Sequence, residues 1–200
     1  MRQAAHIQIP RDMGAQELLS AINGNVPRDI AVVKAQQVPD SFHARFSAIG
    51  KRYVYRFLNS SVRPAHGEDL FHWVRFPMSV QAMREAAPCL VGEHDYSAFA
   101  TNPGYSRLRG SVRRISHVRI VQRPHGIDLV VQGNGFLYNQ VRTIAGTLQQ
   151  VATGRIPPQR VPEILLSKDR RQAGMTAPAC GLYLMRVLYA PDALRMTEPK

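Results

Sequence analysis

The sequence predicts an α+β fold, an antiparallel sheet of mixed strand order with helices packed on one face. Three observations carry that prediction. Tyr53, Tyr55 and Phe57 alternate with Arg52, Val54 and Arg56, the period of two expected of a half-buried strand. Val141, Ile144, Ala145, Leu148, Val151 and Ala152 recur at helical spacing in YNQVRTIAGTLQQVATG (138–154). Between them, ISHVRIVQ and IDLVVQG flank Arg123-Pro124-His125-Gly126, a good hairpin turn. Strands and helices interspersed in this way, with a hairpin rather than repeated parallel crossovers, place helices over an antiparallel sheet.

The remaining elements follow in order. HIQI (6–9) alternates like a strand, and Gly14–Ile22 reads as a short helix on Leu18, Leu19 and Ile22, stopped by Asn23-Gly24. Residues 30–38 read as a further strand. SVQAMREAAPCLVG (79–92) reads as a helix with Ser79 as N-cap and Gly92 as its stop, and Pro88 should weaken its last turns. Residues 101–114 form a polar loop carrying Arg107, Arg109, Arg113 and Arg114. A short helix covers Gln159–Ser167, and GLYLMRVLY (181–189) is the final strand. No linker or low-complexity tract divides the chain.

Two hundred residues suffice for a self-sufficient core, and a hydrophobic content of 44% with 20% charged residues is that of a globular protein. The charge balance is not ordinary. Lys and Arg outnumber Asp and Glu by 26 to 14, a net charge of +12 that attracts polyanions, nucleic acid first among them. Lysine occurs only at Lys34, Lys51, Lys168 and Lys200. The cationic surface is therefore mostly guanidinium, which suits phosphates and stacks on bases. Cys89 and Cys180, without a CxxC pair, read as reduced thiols, and the histidines show no zinc spacing. No apolar run approaches the ~20 residues of a membrane span, and no signal peptide opens the chain, so a soluble, cytoplasmic protein is expected.

Three stretches stand out for chemistry. FHARFSAIGKRYVYRF (42–57) is either a strand of packed tyrosines with solvated arginines or an RNA-gripping surface, and alone the packing reading is the simpler. In GNGFLYNQVRTIAG (133–146), Arg142 flanks the apolar stripe of the long helix. A guanidinium there either pairs with an acid or a phosphate or extends to water. AGMTAPACGLYL (173–184) brings small residues and Pro178 closely past some neighbour and into the last strand.

Taken together these segments resemble the tRNA pseudouridine synthase I family, the TruA type. The matching blocks are NGNVPRDIAV (23–32), FHARFSAIGKRYVYRF (42–57), LVGEHDYSAF (90–99), RGSVRRISHVRI (109–120), GNGFLYNQVRTIAGTL (133–148) and TAPACGLYLMRVLY (176–189). The resemblance implies the pseudouridine synthase fold, two ferredoxin-like halves with the first incomplete here. Residues 1–50 would be a remnant of the N-terminal half, 51–190 the C-terminal half and 191–200 a flexible tail. It implies isomerisation of uridine to pseudouridine in the anticodon stem-loop of tRNA, by a cytoplasmic homodimer with no cofactor and no metal. The target base must leave the stack to be reached. By family position, Tyr53 stacks on the uracil and assists proton removal at C5, and Arg142 pairs with the catalytic carboxylate. Leu182 packs under the base, and Phe136 and Arg45 contact the substrate. Lys51, Arg107, Arg109, Arg113 and Arg114 would contact RNA phosphates.

One part of the family pattern has no counterpart. Its nucleophile is an aspartate in a Gly-Arg-Thr-Asp-Ala-Gly-Val-His motif, which these 200 residues do not contain. Alignment through His6 places that aspartate shortly before Met1. Asp12, Asp29, Asp40, Asp69, Asp95, Asp128, Asp169 and Asp192 offer no substitute in the matching position, and Asp95 reads as the brace of a turn. The 200-residue chain is thus expected to be a fragment that is inactive alone. The alternatives are a tRNA-binding pseudoenzyme and a non-catalytic basic RNA-binding module. Against the last, the aromatic-rich pattern Lys/Arg-Gly-Phe/Tyr-Gly/Ala-Phe of RRM domains is absent.

Overall fold

A computed structural model describes residues 3–10, 13–101 and 110–194. The chain forms two compact units, one of residues 49–188 with 1–3 and one of residues 4–48 with 189–200.

In the larger unit, β1 (Ala48–Asn59) is the strand predicted from its alternation. β2 (His72–Val74) pairs with it in parallel, Phe57 opposite His72. Helix α2 (Val80–Ala86) starts at Ser79, whose hydroxyl accepts from the Ala82 amide at 3.1 Å. As Pro88 requires, the helix tightens into a 3-10 turn over Ala87–Leu90. Gly92, expected to end that helix, instead opens β3 (Gly92–Asp95) at a φ of 125°. The predicted hairpin is β4 (Val112–Arg123) and β5 (Gly126–Gly133). Its first strand begins within the stretch expected to be a polar loop, and Asn102–Arg109 of that loop lie outside the described residues. Helices α3 (Gln140–Ala152) and α4 (Arg160–Ser167) and strand β6 (Leu182–Tyr189) follow.

The six strands make one sheet in the order β2-β1-β5-β4-β3, with β6 also on β1. The β1–β5, β5–β4 and β4–β3 pairs are antiparallel and β1–β2 is parallel, so the α+β class holds. β2 and β3 are three and four residues long, too short to announce themselves by period.

One face carries Tyr53, Tyr55 and Phe57 opposite Val131, Leu129 and Ile127 of β5. These residues pack against apolar residues of α2, α3 and α4 in a single core. The other face is polar. Arg52 donates to Gln132 at 2.8 Å, and the buried Asp128 accepts from Arg123 at 2.9 Å with Arg56 at 3.9 Å.

Helix α3 is buried almost all round, which its apolar stripe alone does not predict. Its second buried side, Thr143, Gly146 and Thr147, lies under the loop of residues 173–178. The Gly174 amide donates to the Thr147 hydroxyl at 2.9 Å, and the Ala177 amide donates to the Arg142 carbonyl at 3.1 Å. Arg170 braces the loop from its other side, donating to the Gly174 carbonyl at 2.9 Å and to the Thr176 hydroxyl at 3.0 Å.

In the smaller unit, α1 (Ala15–Asn23) forms as expected. Residues 6–9 and 30–38, expected as strands, have no ladder partner among the described residues. Alternation qualifies a segment for a sheet, but the strand exists only where a neighbour takes its N–H and C=O groups. Residues 30–38 have one such substitute: the Asn23 side chain exchanges two 2.8 Å bonds with the backbone of Val32. Phe42 is buried and lies 5.2 Å from the Tyr189 ring, whose hydroxyl donates to the Ala44 carbonyl at 2.6 Å. Asp192–Leu194 form a 3-10 turn, and residues 195–200 of the expected tail lie outside the described residues. No helix among the described residues is long and apolar enough to cross a membrane.

Candidate active site

β1 sets the site. Tyr53 and Tyr55 project from the same face two residues apart, a spacing of about 7 Å. Tyr55 is fully buried and its hydroxyl donates to the Pro178 carbonyl at 2.7 Å. Burial pushes its pKa far upward, Cys180 adds to this, and the nearby Arg142 pulls the other way. Tyr53 is half-buried, with its ring edge-on to Phe136 at 5.2 Å. Burial raises its pKa as well, which favours the neutral phenol and leaves an apolar ring with a polar tip.

Arg142 sits in the first turn of α3, whose N-cap is Asn139 in a left-handed conformation at a φ of 59°. Two fixed acceptors hold the guanidinium. Nε donates to the Ala177 carbonyl at 2.7 Å and Nη1 to the Asn139 side-chain carbonyl at 3.1 Å. Asn139 is itself tied to the Thr101 hydroxyl at 3.2 Å. Gln140 is wholly buried at the head of the helix and accepts from the Leu137 amide at 2.7 Å. The guanidinium is thus aimed by the helix cap and the loop, with N–H groups left over.

Leu182 is half-buried and packs on the core at the start of β6. The preceding Gly181 lies so near β1 that a Cβ there would meet the Tyr55 ring and the Arg56 carbonyl at 2.8 Å. Tyr53, Phe136, Arg142 and Leu182, each predicted from sequence, are therefore gathered around the Tyr53–Tyr55 face. Arg113 comes close to the same place, its Cδ and Nε 3.9 Å from where a Cβ on Gly135 would stand. Asn139, Ala177 and the Tyr55 hydroxyl were not predicted. The signal that could have found them is the glycine pair Gly146 and Gly174, which marks the close crossing that brings Ala177 to Arg142.

The other predicted residues are distributed. Lys51 is half-buried on β1 opposite Gly133, and Arg114 is exposed on β4. Arg113 donates to the carbonyls of Gly110 at 3.2 Å and Val112 at 2.6 Å. Arg45 is in the smaller unit, its guanidinium 5.7 Å above the Phe46 ring. Arg107 and Arg109 lie outside the described residues.

Among the described residues of the larger unit no carboxylate pairs with Arg142. Asp128 is engaged with Arg56 and Arg123 on the opposite sheet face. Asp169 is bound to Arg171. Asp95 braces a turn, accepting from the Ser97 amide at 3.0 Å and the Ser97 hydroxyl at 2.5 Å, with Lys168 at 3.8 Å. Burial alone would raise the Asp95 pKa. The bonds from Ser97 and Ser111 and the Lys168 charge outweigh it and hold the carboxyl below its usual value of 3.8. Its ionised form therefore favours folding above about pH 4, and that contribution is lost as acidification protonates it. Asp95→Asn should flatten the fall in stability on acidification below about pH 4, measured by urea unfolding at a series of pH values. An unchanged slope would remove Asp95 from the turn's electrostatics.

Comparison with known proteins bears on the family. A sequence model of the family described as tRNA pseudouridine synthase matches residues 86–190. A protein named tRNA pseudouridine synthase A from Thermoanaerobacter sp. (strain X514) is 40% identical over 187 residues, 94% of this chain and 76% of its own length. The protein of that name from Pseudomonas aeruginosa is 38% identical over 196 residues, covering 98% of this chain and 68% of its own length. That from Syntrophotalea carbinolica is 41% identical over 188 residues, 94% of this chain and 74% of its own length. With this extent of identity over nearly its whole length, the chain belongs to the tRNA pseudouridine synthase family, of the TruA type.

Proposed function

We propose that the protein serves the conversion of uridine to pseudouridine in the anticodon stem-loop of tRNA, and that the Tyr53 face is where the uracil is handled. The single observation that carries this reading is the fixing of Arg142 beside that face by Ala177 and Asn139. A guanidinium oriented by two neutral acceptors keeps its charge available for an incoming carboxylate, which it can grip with its remaining N–H groups.

In the reaction the bond from N1 of uracil to the ribose breaks, the base turns, a bond forms from C5 to the same ribose carbon, the proton on C5 departs, and N1 ends carrying a proton, so that substrate and product are isomers. Tyr53, neutral and half-buried, gives the flipped base a ring to stack on, and Leu182 and Phe136 complete an apolar seat. Arg142 positions the nucleophilic carboxylate. Arg45, Lys51, Arg107, Arg109, Arg113 and Arg114 take phosphates of a tRNA held by a homodimer. The Gly-Arg-Thr-Asp-Ala-Gly-Val-His motif is absent from residues 1–200, and among the described residues of the larger unit no acid meets Arg142, so on this reading residues 1–200 by themselves bind tRNA without isomerising it.

The test is tritium release from tRNA labelled at C5 of uridine. The 200-residue chain should release none. The same chain extended upstream by a segment bearing Gly-Arg-Thr-Asp-Ala-Gly-Val-His should release it, and Tyr53→Ala in that protein should lower turnover at least about 100-fold. A stacking contact in the reacting state is worth about 1–3 kcal/mol, and misorientation of the base adds to it. Turnover by Tyr53→Ala equal to that of its parent would sink the assignment.

A further inference from the structure

At the other end of α3, about 15 Å along the helix from Arg142, a second feature suits RNA. Trp73, Arg75 and Phe76 face Gln149, Arg155 and Met175 across a cleft of about 230 Å³. Its chemistry is unusual for a surface fold. Phe76 is 58% exposed and Met175 51% exposed, although both are large and apolar. The Trp73 indole is held in place, its Nε1 donating to the Ser60 carbonyl at 2.8 Å. Arg75 and Arg155 are both exposed, and neither is in an ion pair among the described residues. No carboxylate lines the cleft. Gln149 supplies a neutral polar residue to the lining.

Aromatic faces beside free guanidinium groups are the combination that holds unpaired nucleotides, by stacking the base and neutralising its phosphates. An acidic peptide would use the two arginines but leave the exposed aromatic ring unexplained.

We infer that the cleft between β2 and the C-terminal end of α3 is a second RNA contact, taking one unpaired base against Trp73, Phe76 and Met175 and the adjoining phosphates on Arg75 and Arg155. This rests on the reading of the protein as a tRNA-binding enzyme. It adds a contact remote from Tyr53, so that the substrate is gripped at both ends of α3.

Trp73 is the sole tryptophan of the chain, so its fluorescence reports on this cleft alone. The 200-residue protein is titrated with hexamers of oligoadenylate and oligouridylate and with oligoglutamate, while binding of an unmodified tRNA transcript is followed by filter retention. Oligoadenylate should quench Trp73 saturably, and oligouridylate, whose bases offer a smaller stacking face, should bind more weakly. Phe76→Ala should weaken the oligoadenylate response about tenfold. Arg155→Ser should weaken it and lower the slope of log affinity against log salt by about one. Both side chains are exposed, so the variants should keep the parent's circular dichroism. If tRNA is retained on the filter while Trp73 stays silent, the cleft inference falls and the tRNA reading stands. If neither RNA binds, both fall. A Trp73 response to oligoglutamate but not to RNA, or variants that titrate like the parent, would also overturn the inference.

Discussion

Gly146→Ala is expected to destabilise the protein by at least about 3 kcal/mol, lowering the thermal midpoint by roughly 6–12 °C for a chain of this size. A Cβ on Gly146 would stand 1.9 Å from the Met175 carbonyl oxygen and 2.9 Å from its carbon. Both are backbone atoms, so no rotamer change relieves the clash, and either α3 or the 173–178 loop must move. The loop is not free to do so. It is bonded to α3 through Gly174 and Ala177 and to Arg170 through Gly174 and Thr176. Gly174→Ala should behave alike, since its Cβ would come within 2.7 Å of the Thr147 Cα. Gly14→Ala is the control, with nothing within 4 Å of the added carbon and a φ of −62° that alanine adopts readily. Thermal unfolding of the three variants is the measurement. A Gly146→Ala midpoint within a degree of the control would mean that the crossing is loose.

Arg142→Lys should lower turnover at least about 100-fold in the protein extended to carry the aspartate, with a smaller effect on tRNA binding. The arginine spends Nε on Ala177 and Nη1 on Asn139 and retains further N–H groups in the same plane for a carboxylate. Lysine keeps the charge but has a single nitrogen, which cannot serve both acceptors and still present a fork. Loss of one preorganised donor at a reacting centre commonly costs about 100- to 1,000-fold in rate. Single-turnover tritium release, with tRNA affinity measured in parallel, separates the two effects. An equal loss in affinity and in rate would make Arg142 an RNA-binding residue rather than an orienting one.

How much of this was legible beforehand varies with the element. β1, the β4–β5 hairpin and the apolar stripe of α3 were legible because each follows a regular period in the sequence, whereas the second buried side of α3 was not. β2 and β3 left none, since three or four residues do not span enough of a period to show. Residues 6–9 and 30–38 had the period without the partners, and stayed irregular. At the site, Tyr53, Phe136, Arg142 and Leu182 were identified through the family blocks rather than through any local pattern. On its own, KRYVYRF reads as well as packing as it does as a binding surface. The structure divides that stretch between the two: Tyr55 is core, fully buried and bonded to Pro178, while Tyr53 is half-open beside Phe136.

What the sequence determined by itself was the class of fold, the charge balance of 26 basic residues against 14 acidic ones, and the family. These depend on composition, periodicity and ordered motifs, all of which are properties of the chain read in one dimension. What tertiary structure alone decided was the state of Arg142. The sequence left it to pair with an acid or a phosphate, or to extend to water. Its actual partners are the carbonyls of Asn139, three residues away, and Ala177, thirty-five residues away. Ala177 reaches it because two glycines let a loop cross a helix at backbone contact. A close approach of this kind depends on where two distant segments meet, and no spacing along the chain encodes that distance.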